Sequence, residues 1–129
     1  MEAGNLDDTT GAPRDAEACR SLCPQLVQET LGLIGTKWSP PLLLALSHAQ
    51  SAVGFAELKR RVDGITAKEL SRHLKALVGA GAVMREVHPT VPPRVEYSLT
   101  ELGRRLVGSI AELADWGVRL RAMKKEPGV

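Results

Sequence analysis

The sequence predicts a mainly α-helical domain carrying one small β-hairpin, an α+β architecture in which the sheet is the minor part. Three observations predict it. Apolar residues recur at helical spacing through most of the chain. Two alternating, β-prone runs, "AVMREVH" and "RVEYSL", flank the proline-rich "PTVPP". Between the helices, a segment with one leucine face and one basic face follows a tight turn at "DGI". At 129 residues the chain fits one domain with short flanks, large enough to bury about two-thirds of its unfolded surface. Aromatic residues are only 3%, so leucine and other aliphatic side chains must fill the core.

Taken in order, residues 1–17 lack periodicity and read as a flexible arm, 18–122 as the folded domain and 123–129 as a C-terminal tail. The first 24 residues hold five acids against two bases, with no basic start or apolar run, so no signal peptide is expected. No apolar stretch reaches the roughly 18 residues of a membrane span. A cytoplasmic protein with reduced thiols is the expectation, since two cysteines are too few for a disulfide framework. Val27, Leu31 and Ile34 mark a helix over Pro24 to Ile34, with Pro24 in its first turn and Cys23 at or near the N-cap.

Ser39, followed by Pro40 and Pro41, starts a second helix, and Leu42 to Leu46 cover nearly all of its faces, as in a helix buried among others. Phe55, Leu58 and Val62 mark a short third helix. In "ITAKELSRHLKALVGAG", Thr66 and Glu69 have the spacing of a reciprocal cap, so a helix starts at Thr66. Leu70, Leu74, Leu77 and Val78 fall on one face of it, and Lys68, Arg72 and Lys75 on the other. Gly79 and Gly81 stop it. In the hairpin that follows, Val83, Val87, Val95, Tyr97 and Leu99 are the expected inward residues. Thr100 caps a long helix whose Leu102, Leu106, Ile110, Leu113, Gly117 and Leu120 form a narrow apolar seam, longer than a small domain needs for its own core.

A short helix, a three-residue turn, a helix with a basic outer face and then a hairpin is the order of a winged helix-turn-helix. This layout suits duplex DNA, whose major groove admits one helix and whose phosphates attract flanking cations. From Phe55 to Arg105 there are ten bases and six acids, an excess compatible with a polyanion. Thr66, Ala67, Lys68, Ser71 and Arg72 are the expected groove residues, with Lys75 nearer the backbone. Lys59, Arg60, Arg61 and Arg94 are expected phosphate or minor-groove contacts. The competing view, that these bases form only a solvated surface, is weakest for Lys68 and Arg72 taken together.

Six stretches, in order and at this spacing, resemble the HxlR-type family of bacterial winged helix-turn-helix regulators. They are "CP" at Cys23, "LIGTKW" at Leu33 to Trp38, "FAEL" at Phe55 to Leu58, "GITAKELSRHLKAL" at Gly64 to Leu77, "PPRVEYSLTELG" at Pro92 to Gly103 and "DWG" at Asp115 to Gly117. The chain departs from the common pattern at Thr36 and in "VGAGAV", which bears on local geometry and not on fold. The resemblance implies a homodimer on an inverted-repeat operator, with the first and last helices as extra dimerisation elements. Val27, Leu31, Leu106, Ile110, Leu113, Trp116 and Leu120 are the interface residues this implies. It further implies a thiol sensor of oxidants or electrophiles at Cys23, because several members use the matching cysteine in that way.

A thiol at a helix start meets free backbone NH groups and the positive end of the dipole, a setting that favours the reactive thiolate. A sensor thiol, an inert small residue and a metal ligand all remain open for Cys23, and Cys19 is either a resolving thiol or a bystander. His48, His73 and His88 lack the spacing of a ligand set, so neither metal nor other cofactor is expected. Trp38 and Trp116 read as helix anchors in the core or a dimer interface before they read as a ligand-stacking pair. Neither "GLIGTKWS" nor "VGAGAV" has the spacing of a phosphate loop or a dinucleotide fingerprint, and no enzyme is expected. The alternative function is a winged helix used as a protein-interaction module, with the leucine seam as its surface and no direct DNA readout. A small-molecule or oxidant effector is compatible with either.

Overall fold

The computed structural model describes residues 23–125. The arm at 1–17, Cys19 and residues 126–129 of the tail lie outside the described residues. The chain divides into two units between Thr36 and Lys37. In the first, helix α1 spans Pro24–Ile34, with Pro24 in its first turn and Cys23 as its N-cap residue. Leu26, Val27 and Leu31 are exposed along it.

In the second unit, α2 spans Ser39–His48, β1 Val53–Gly54, α3 Phe55–Arg61, α4 Ala67–Gly79, β2 Val83–His88, β3 Arg94–Leu99 and α5 Glu101–Lys125. The last helix thus runs past the domain edge expected at 122. The three strands form one antiparallel sheet in the order β1-β3-β2. Strand β1 was not expected from the sequence, because two residues are too few to show alternation; it is defined by pairing Val53 with Tyr97 and Gly54 with Glu96.

The core of this unit is aliphatic, as the scarcity of aromatic residues requires. Leu42, Leu43 and Leu46 of α2, Leu58 of α3 and Leu70, Leu74 and Leu77 of α4 are all but inaccessible. Each such leucine contributes roughly 1.5–3 kcal/mol on burial. Leu44 is exposed, so α2 is covered on one side and not on all faces. Val83, Tyr97 and Leu99 close the core from the sheet, whereas Val87, expected inward, is 51% exposed because β2 runs beyond α4 toward the hairpin tip.

The start of α5 is fastened to the sheet and to the end of α4. Thr100 accepts from the Gly103 N–H and donates its hydroxyl to the Gly81 carbonyl. Gly103 lies so close that a β-carbon there would sit 2.0 Å from the Ala82 carbonyl oxygen. Ile110 is buried within the chain, while Leu102, Leu113 and Trp116 are exposed and Leu106, Gly117 and Leu120 half-buried. Of the expected seam, then, Ile110 alone is buried within the chain, and Leu102 before it and Leu113 after it are both open.

Candidate nucleic-acid interface

The outward side of the α3–α4 pair begins at the turn that joins them. Gly64 there has φ +88°, a left-handed conformation that glycine adopts without strain, and a β-carbon on it would meet the Trp38 ring at 3.6 Å. The chain then enters α4 through a reciprocal cap. The Glu69 N–H donates to Thr66 Oγ1 at 3.1 Å, and Glu69 Oε1 accepts from the Thr66 N–H at 3.0 Å. The Thr66 hydroxyl also donates to Glu69 Oε1 at 3.0 Å.

The Thr66 backbone and hydroxyl hold the Glu69 carboxyl below its ordinary value, and a hydrogen bond from Trp38 adds to this. Trp38 is the N-cap residue of α2 and lies under the Lys37 ammonium, 4.8 Å from the ring centroid. One aromatic side chain thereby links the start of α2 to the start of α4. Its ring also faces the Gly64 turn, a placement that no local sequence spacing reveals.

Thr66, Ala67, Lys68, Ser71, Arg72 and Lys75 are all exposed on the outer side of α4, opposite Leu70, Leu74 and Leu77. Among the described residues no ion pair engages Lys68, Arg72 or Lys75. The α3 cations differ. Both Arg60 and Arg61 reach back to Glu57, Arg61 at 3.0 Å, and together they hold the Glu57 carboxyl below its ordinary value. Lys59 beside them is exposed and outside that pairing. Glu57 precedes its partners by three and four residues, a spacing legible in the sequence.

In the hairpin, the tip is braced by Thr90, whose N–H donates to the His88 carbonyl at 2.8 Å and whose hydroxyl donates to the Pro92 carbonyl at 2.7 Å. His88 and Glu96 pair at 2.8 Å across the two strands. Arg94, first residue of β3, is exposed beside the tip and far in sequence from α4. The fold carries α4 and the hairpin in one unit, with α4 packed on β2.

Cys23 is half-buried, and its side chain makes no capping bond to the α1 backbone. Among the described residues no group of three His, Cys, Asp or Glu is arranged to hold a metal ion. No helix among them is long and apolar enough to cross a membrane.

Residues 33–125 match the family model described as HxlR-like helix-turn-helix. An uncharacterised HTH-type transcriptional regulator of Halalkalibacterium halodurans is 46% identical over 90 residues, covering 70% of this chain and 79% of that protein. The reduced form of the transcriptional regulator YodB from B. subtilis superposes with a TM-score of 0.68 at 29% identity, covering 84% of this chain and 99% of that one. The redox regulator HypR in its reduced form superposes with a TM-score of 0.66 at 37% identity, covering 77% and 96%. With the family model spanning α2 to α5 and the capped α4, turn and hairpin all in that span, this chain belongs to the HxlR-like helix-turn-helix family.

Proposed function

We propose that this protein is a non-enzymatic transcriptional regulator that binds duplex DNA as a homodimer on an inverted-repeat operator. One observation carries the reading: α4 is capped, its leucines are buried, and Lys68, Arg72 and Lys75 are left exposed and without ion pairs among the described residues. A helix of this kind fits the major groove, with Thr66, Ala67, Lys68, Ser71 and Arg72 toward base edges and Lys75 toward phosphate. Lys59 and Arg94 add backbone or minor-groove contacts. Arg60 and Arg61 contribute after releasing or sharing Glu57. The exposed Val27 and Leu31 of α1, with Leu113 and Trp116 of α5, supply the apolar residues of the dimer surface. Leu106 and Leu120 flank these, while the burial of Ile110 gives it a core role within its own chain.

The test is binding to a duplex from the protein's own promoter across a range of salt. The reading requires sequence preference and a log–log salt slope of several units, since each neutralised phosphate adds about 0.9. Absence of binding at low salt would refute it in favour of the protein-interaction module.

Cys23 is the candidate sensor in this scheme, supported by its place at the start of α1 and by likeness to HypR, described as a redox regulator. Operator binding by wild type and Cys23→Ser, each with and without diamide or an aldehyde, tests it. The sensor reading requires a response in wild type that Cys23→Ser lacks.

A further inference from the structure

In the register of the hairpin, Val83, Arg85 and Val87 of β2 lie opposite Leu99, Tyr97 and Val95 of β3. Successive side chains alternate between faces, so these six share one face, the one whose base closes the core. Arg85 is the only charged residue on it. Glu86, Glu96, His88 and Arg94 belong to the other face, where His88 already pairs with Glu96. Alternation predicts an apolar residue at 85, so the exposed arginine there needs a reason other than packing.

Arg85 lines a cleft of about 290 Å³ between α4 and the hairpin, together with Ser71, Leu74, Lys75, Val78 and Tyr97. Two cations and two hydroxyls surround an apolar floor. Among the described residues neither Lys75 nor Arg85 forms an ion pair. The cleft is thus a small region of positive charge with hydrogen-bond donors and no carboxylate in its lining.

We propose that this cleft is a phosphate seat for the DNA backbone, with Arg85 and Lys75 as its cations and Tyr97 as a further donor. The inference rests on the reading that α4 enters the major groove. A helix in the major groove and a hairpin at the adjacent minor groove straddle one sugar-phosphate strand, because that strand is what separates the two grooves. The space between α4 and the hairpin is where that strand passes. Arginine matches a phosphodiester with paired N–H donors, and the partly apolar floor strengthens the attraction relative to open water.

The experiment measures fluorescence anisotropy of a labelled promoter duplex and of a scrambled duplex with the full chain, as wild type, R85Q and R85K, across salt. Arg85→Gln is expected to weaken both duplexes alike, roughly five- to tenfold, and to lower the salt slope by about one unit. Arg85→Lys should restore most of the slope. A neutral methylphosphonate placed at each backbone position in turn adds a second readout that is independent of variant stability. One substitution should weaken wild type markedly more than R85Q, in which only Lys75 still faces that phosphate. Wild-type affinity and slope in R85Q, or no phosphate at which the two losses overlap, would overturn the seat while leaving the DNA reading standing. Failure of wild type itself to bind any duplex at low salt removes both.

Discussion

Helices α4 and α5 both carry an apolar stripe, and the structure treats the two stripes oppositely. Leu70, Leu74 and Leu77 of α4 are at most 2% exposed, so that helix satisfies its apolar side inside its own chain and turns its cations outward. On α5 Ile110 is buried, while Leu102 before it and Leu113, Trp116, Val118 and Met123 beyond it are each more than half exposed. An apolar period says that a face is to be covered, without saying by what. For α4 the cover is the rest of the domain; for α5 beyond Ile110 the proposed cover is a second copy.

The sharpest break in this contrast is at the docked start of α5. Gly103→Ala would place a β-carbon against the Ala82 carbonyl and 3.1 Å from Leu99 Cδ2, neither of which yields without moving the base of the sheet. The expected cost is about 3 kcal/mol or more, read as a fall of about 10 °C in the thermal midpoint.

On the open half, Leu113→Glu should leave the monomer folded by circular dichroism and halve the mass seen by light scattering. Burying a carboxylate in an apolar interface costs on the order of 3 kcal/mol, or about a hundredfold in dimer dissociation constant. An intact dimer would remove Leu113 from the interface.

The outward face of α4 is tested against that of α3. Arg72→Ala should weaken promoter binding by roughly 1–3 kcal/mol, whereas Arg60→Ala should cost roughly 0.5 kcal/mol or less, because Glu57 already competes for that guanidinium. Equal losses at the two positions would mean that the pairing with Glu57 does not matter in the complex.

The smallest effect lies in the cap of α4. Glu69 titrates below its ordinary value of 4.5 in the folded chain, held there first by the Thr66 backbone, then by the Thr66 hydroxyl and Trp38. A depressed carboxyl contributes stability that is present above the unfolded value and lost as pH falls through the folded one. Stability should therefore decline as pH drops below 4.5, and part of that decline should vanish in Glu69→Gln. Glu57, depressed by Arg61 and Arg60, accounts for a second part in the same direction.

Much of this was legible along the chain. The bounds of α1, the start of α2, the capped start of α4 and the two hairpin strands all follow from local rules: proline in a first turn, threonine with glutamate three residues on, and alternation around a proline-rich tip. The outward side of α4 was legible for the same reason, since a helix fixes which residues share a face. Less could be read wherever the partner is distant in sequence. Strand β1 exists only through its pairing with β3, and Val87 looked inward by alternation but lies past the end of the surface that would cover it. Nothing near Arg85 in sequence marks the cleft that its side chain helps line.

By itself, then, the sequence determined the helices, their caps, the hairpin and the side of α4 that carries its charge, because each depends on residues within a turn or two of one another. Tertiary structure alone decided that the Trp38 ring faces the turn before α4, that Gly103 must be a glycine, that Arg85 lines a cleft beside α4, and that Ile110 is the seam residue buried within its own chain. Those outcomes depend on which surfaces meet across tens of residues, and burial and electrostatic pairing act through space and not along the chain.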